Sequence, residues 1–236
     1  MGGLLAGAFG FLLAEPVMDR AVRLESARVA AADARARVAG TAVAHHAEVF
    51  TRTTQHVGFI ATTVATGVAL GVLFGVLYAV LHRAGPDRDP WRGAITLAMT
   101  AWFGVFVVPF LRYPANPPGV GDPDTIGLRT NAYLSVLVIG IVGSVFAVRV
   151  ARRLQVADPL RHLAVAGVLV ATVALTFLLP GNPDPLDVPA GLLWQFRLLA
   201  FATSTLLWAG LGAAYGLLGA RDREPVVTGP AARRPG

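Results

Sequence analysis

Six long apolar runs decide most of what this chain can fold into. They cover residues 2–18, 57–81, 91–111, 130–150, 162–179 and 192–219, and the shortest holds 17 residues. A helix of that length rises about 25 Å at 1.5 Å per residue, close to the roughly 30 Å of a bilayer's hydrocarbon core. In that solvent each backbone N–H and C=O must find its partner within the segment, so each run is expected to be helical. The composition agrees, with 55% hydrophobic and only 14% charged residues, where a soluble domain carries about 25% charged. The expected fold class is all-α: a polytopic membrane helix bundle of about six transmembrane helices, forming one integral-membrane domain over residues 1–220.

All 20 basic residues are arginine and most flank the apolar runs. The pI near 10.9 therefore reflects phospholipid headgroups and topology, and the lipid bilayer rather than nucleic acid is the expected partner. No cysteine is present, so the chain offers neither a disulfide nor a thiolate ligand. The start, "MGGLLAGAFGFLLAEPVMDR", lacks a basic n-region and ends in Glu15-Pro16 rather than a small-x-small cleavage site; it reads as a retained first helix. Residues 19–56, rich in alanine and arginine, are expected to form an extramembrane helix, and 221–236 a disordered tail. The arginine balance divides between the two sides, but the shorter later loops favour both termini in the cytoplasm.

Gly67, Gly71 and Gly75 recur at spacing four in the second run, and Gly212 and Gly216 in the last. Such faces let another helix backbone approach closely, so these five are predicted to pack helices rather than to line a substrate path.

The connectors carry the chemistry. "YPANPPGVGDPDTIGLR" (113–129) follows the third run, and "LLPGNPDPLD" (178–187) follows the fifth. Each delivers Pro-x-Asn-Pro at the membrane boundary (Pro114, Asn116, Pro117; Pro180, Asn182, Pro183). Each then supplies two aspartates (Asp122 and Asp124; Asp184 and Asp187) and an arginine near or inside the next helix (Arg129; Arg197). Two connectors of the same polarity imply duplicated hairpins on one membrane side. Proline stiffens such a loop and holds its side chains in place at little entropic cost. Each aspartate alone is an ordinary turn-former or helix cap; the duplication is what points to function. Carboxylates, amide oxygens, carbonyls and imidazole without thiolate suit a hard-to-borderline divalent cation, with Mg²⁺, Mn²⁺, Co²⁺ and Ni²⁺ all fitting on that ground. Asp122, Asp124, Asp184, Asp187, Asn116 and Asn182 are the candidate ligands. His45 and Glu48, three apart in "AHHAEVFTRTTQH", are a weaker capture point. Pro109 removes a backbone donor near the end of the third helix, freeing a carbonyl.

Arg197 falls about five residues into the last run, where a buried guanidinium needs a partner or must snorkel. Glu15, at comparable depth in the first run, is the predicted partner in a structural ion pair. There is no phosphate-binding Gly-x-x-x-x-Gly-Lys-Ser/Thr loop, Gly-x-Ser-x-Gly or His-Glu-x-x-His, so neither a nucleotide motor nor an enzyme is expected.

The chain resembles the CbtA family of predicted bacterial cobalt transporter subunits. The likeness lies in "EP" with "DRA" (15–21), "HHAEVFTRTTQHVGF", "VPFLRYPANPPGVGDPDTI" and "QFRLLAFATSTLLWAGLGAAYG". It implies a multi-pass protein of the bacterial cytoplasmic membrane that takes up Co²⁺, or Ni²⁺, as a transported ion rather than a bound cofactor. It also implies a small histidine-bearing partner subunit and a link to cobalamin synthesis. The alternative expectation is a non-transporting scaffold or accessory subunit whose rigid loops dock a partner protein.

Overall fold

The computed structural model describes residues 15–40, 52–83, 89–117, 120–186 and 188–221. Most of the first apolar run, His45, Glu48, Asp187 and the tail lie outside the described residues. Six helices follow in order: α1 (Glu15–Val38), α2 (Arg52–Arg83), α3 (Pro90–Arg112), α4 (Ile126–Arg153), α5 (Asp158–Thr176) and α6 (Ala190–Arg221). No strand occurs among the described residues. The five from α2 to α6 are each long and apolar enough to cross a membrane. The protein is a helical membrane bundle.

α1 continues unbroken through residue 18, where the first run was expected to end. Its alanine- and arginine-rich sequence favours helix throughout, and Pro16 sits in the first turn, where its missing donor costs nothing. Val17 and Ala21 are buried, and the helix packs against α6. Leu24, Glu25 and Arg28 line a small cleft together with Pro117 of the first connector and with Val188 and Leu192, which follow the second.

α3 begins at an Asp-Pro step. Asp89 accepts a hydrogen bond from the Trp91 backbone N–H at 3.0 Å, and Pro90 takes the first helical position. In its middle, Trp102–Val107 widens into a π-helix, with Val108 N–H donating to the Phe103 carbonyl. Pro109 follows directly and is buried. Lacking an N–H, it cannot restore the ordinary ladder behind it, which is one identifiable cause of such a widening. Beside this segment α3 meets α4 at backbone distance: a Cβ on Gly104 would stand 2.8 Å from the Gly140 carbonyl oxygen.

The most extensive associations are α3 with α6 and α3 with α4. Phe74, Ala98, Trp208 and Leu211 form a buried core joining α2, α3 and α6. Trp102, Phe106 and Phe110 stack along α3 against Phe201, with ring centroids 5.3–5.9 Å apart. Trp102 also donates its indole N–H to Thr205 Oγ1 at 3.2 Å. On the outside, Val64, Val68, Val72, Val76 and Val80 leave an exposed apolar stripe along α2. A helix apolar all round belongs in lipid, and these faces meet the bilayer.

Candidate functional site

The two proline-rich connectors lie against each other at one end of the bundle, and each is held by side chains of the other hairpin. From the first hairpin, Arg112 donates Nε to the Thr176 carbonyl at 3.0 Å and Nη2 to the Leu179 carbonyl. Its guanidinium stacks on Tyr113 and Phe177, 4.9 and 5.3 Å from the ring centroids. The Tyr113 hydroxyl donates to the Pro180 carbonyl. The Thr176 carbonyl belongs to the last turn of α5, and the Leu179 and Pro180 carbonyls to the connector that follows it.

The arginines that follow the connectors are exchanged. Arg129, after the first connector, pairs with Asp184 of the second at 3.2 Å. Arg197, after the second, donates Nη2 to Asn116 Oδ1 at 3.0 Å and Nε to the Ala115 carbonyl at 3.3 Å in the first. Asp184 is 7% exposed, and a buried carboxylate must be paired. Arg129 supplies the opposite charge, and Thr125 Oγ1 lies 2.9 and 3.1 Å from its two oxygens. Asn182 Oδ1 accepts from the Asp184 backbone N–H at 3.3 Å.

Asp122 caps the turn that leads into α4. Its Oδ1 accepts from Asp124 N–H at 2.9 Å, and its carbonyl accepts from Thr125 and from Arg129 Nη2. Asp122 and Asp124 are both exposed. Gly121 makes the turn possible, with φ +114°, and a Cβ there would strike Arg129 Nη1 and stand 2.9 Å from Asp184 Oδ2. Gly121→Ala is therefore expected to destabilise the protein by about 1–3 kcal/mol from backbone strain alone, read as a lowered melting temperature in detergent. An unchanged melting temperature would contradict the close fit of this turn over the ion pair.

Between the connectors lies a cavity of about 600 Å³. Pro114, Asn116, Asn182 and Pro183 line it, so both copies of the repeated motif face one space, together with Arg112, Arg129 and Arg197. The predicted ligands thus divide. Asn116 and Asn182 share the cavity, Asp184 is closed into the ion pair with Arg129, and Asp122 and Asp124 stand exposed at the turn. Asp187, His45 and Glu48 lie outside the described residues. Among the described residues no three His, Cys, Asp or Glu side chains gather in a metal-holding arrangement. The reason is visible at Asp184: burial forces it onto the nearest cation of the chain. For the predicted Glu15–Arg197 pair, Arg197 is bonded to Asn116 and Ala115, while the Glu15 side chain lies outside the described ones.

Of the glycines singled out, Gly75 abuts the Tyr215 ring, Gly212 abuts Ala98 and Gly216 abuts Trp91. Gly71 has open space on its Cβ side although its carbonyl accepts from Tyr215 at 2.8 Å, and Gly67 is half-buried. The reading of residues missed Arg112, Tyr113, Thr125 and the Gly104–Gly140 crossing. Gly140 and Ser144 do carry the small-xxx-small spacing that would have flagged α4. Nothing in the sequence flags Thr125.

Comparison with known proteins adds a family. No curated protein and no solved structure matches the chain. A family model described as "Probable cobalt transporter subunit (CbtA)" matches residues 1–220, nearly the whole length. By that match the chain belongs to the CbtA family, whose members are described as probable cobalt transporter subunits.

Proposed function

We propose that this protein is the membrane subunit for uptake of a divalent transition-metal cation, Co²⁺ ahead of Ni²⁺, and that the interlocked connectors form its cation-gathering face. The observation that carries this reading is the pair of exposed carboxylates, Asp122 and Asp124, fixed on one short turn. A carboxylate has about four acceptor positions, and the turn uses one on Asp122. The rest are available to a hydrated ion. Asp187, His45 and Glu48 assist in gathering it. Asp184 serves instead to lock the two connectors, and Asn116 and Asn182 shape the space between them. The small number of histidines, 5 in the whole chain, suits a partner subunit that supplies imidazole. With both termini in the cytoplasm of a bacterial inner membrane, the connectors face outward. A membrane potential of 100 mV then favours inward movement of a divalent ion by about 4.6 kcal/mol, twice the single-charge figure.

The test is accumulation of radiolabelled Co²⁺ in cells lacking their own cobalt importers, comparing wild type with Asp122→Asn/Asp124→Asn at equal membrane levels. Wild type is expected to accumulate several-fold more than the double variant. Equal uptake by both would remove the carboxylates from the path.

The arginine lining favours one second reading: an accessory subunit whose rigid connectors dock a partner protein. That role would tolerate Asp122→Asn but fail on Pro114→Ala, the reverse of the sensitivity expected for a cation path.

A further inference from the structure

The cavity between the connectors has the wrong charge for a free metal ion. Arg112, Arg129 and Arg197 line it, and among the described residues no aspartate or glutamate does. Among the described residues, the single carboxylate paired with these three guanidinium groups is Asp184, on Arg129. Arg112 and Arg197 bond to carbonyls and an amide oxygen, neutral acceptors that satisfy their geometry without supplying a countercharge. Arg129 Nε is buried and has no hydrogen-bond partner among the described residues, although buried donors are nearly always paired. Among the described residues, three arginines and one carboxylate leave two net positive charges around a space of about 600 Å³, and low-dielectric walls focus their field.

We propose that this cavity is a binding site for an anionic phosphate or carboxylate group. Guanidinium forks match both groups in shape and charge. Asn116 and Asn182 add amide groups to the lining. Leu128, Leu134 and Leu186 also line the cavity, and each is at least 44% exposed, so the site also suits a ligand with a hydrocarbon portion. Two sources share this chemistry, the headgroup of an anionic phospholipid seated at the bundle end and a soluble oxyanion. The inference rests on the cavity's charge and is independent of any transport by the chain.

The test uses the purified full-length protein in detergent and needs no uptake assay. Native mass spectrometry compares retention of phosphatidylglycerol with that of phosphatidylcholine, and thermal melts are run with and without inorganic phosphate or citrate. Two variants accompany wild type: Arg197→Gln, and Thr130→Glu, which adds a carboxylate at an exposed lining position. Wild type is expected to prefer phosphatidylglycerol, or to be stabilised by phosphate or citrate. Each variant should weaken that binding about tenfold, the worth of one charge-assisted hydrogen bond. A lipid preference without stabilisation by soluble anions identifies the headgroup, and the reverse identifies the soluble anion. A wild type that shows neither overturns the proposal. So does a Thr130→Glu protein that melts like wild type and binds anions equally well, whatever the fate of Arg197→Gln.

Discussion

Asp184→Ala is expected to destabilise the protein by about 3 kcal/mol, the lower end of what removing one partner of a buried ion pair costs. The lower end applies because the Arg129 side chain is 32% exposed while that of Asp184 is 2% exposed, so solvent relieves part of the orphaned charge. Asp184→Asn should cost less, since its amide oxygen still accepts from Thr125 and Arg129. The double change Asp184→Leu/Arg129→Met should recover much of the loss, because the expense lies in an unpaired charge more than in the missing attraction. Denaturant unfolding in mixed micelles reads all three. A single Asp184→Ala as stable as wild type would show that the connectors are not locked through this pair. The consequence reaches the cavity: without Asp184, Arg129 loses the contact that ties the first connector to the second.

Gly140→Val is the second large expectation, and it should prevent stable association of α3 with α4. A Cβ at Gly140 would collide with the Gly104 carbonyl oxygen and lie 3.1 Å from Val108 Cβ. The first of these is backbone and cannot rotate aside. Overpacking commonly costs about 1–3 kcal/mol, so Gly140→Ala is expected in that range and the bulkier valine above it. Gly71→Ala is the control. With open space on its Cβ side, it should be neutral or gain about 0.5–1 kcal/mol from higher helix propensity. Melting temperatures in one detergent give the comparison. Equal losses at both positions would mean that the closeness at the π-helical segment is not what makes Gly140 necessary.

These contrasts show how far the residues could be read in advance. Gly71 and Gly140 look alike in one dimension, each beginning or continuing a small-xxx-small face, and only their neighbours in space separate them. The same holds for the aspartates. Asp122 and Asp184 occupy corresponding places in a repeated motif, yet one caps an exposed turn and the other is buried against an arginine. Charge type was legible. Whether a charge faces water, a metal ion or another side chain was not.

Helix existence, by contrast, needed no partner. An apolar run of spanning length in hydrocarbon must satisfy its own backbone, so α2 to α6 were determined by local composition, and the Asp89-Pro90 start of α3 by local capping chemistry. The duplicated Pro-x-Asn-Pro connectors were equally a property of the sequence. What only the tertiary structure decided was the exchange between them: Arg129 on Asp184, Arg197 on Asn116, and Arg112 and Tyr113 on carbonyls of the last turn of α5 and the connector after it. These bonds join residues that lie far apart along the chain but are brought together when the helices pack. Burial then fixes which cation answers which carboxylate, because in low dielectric an unpaired charge costs more than any local preference can offset.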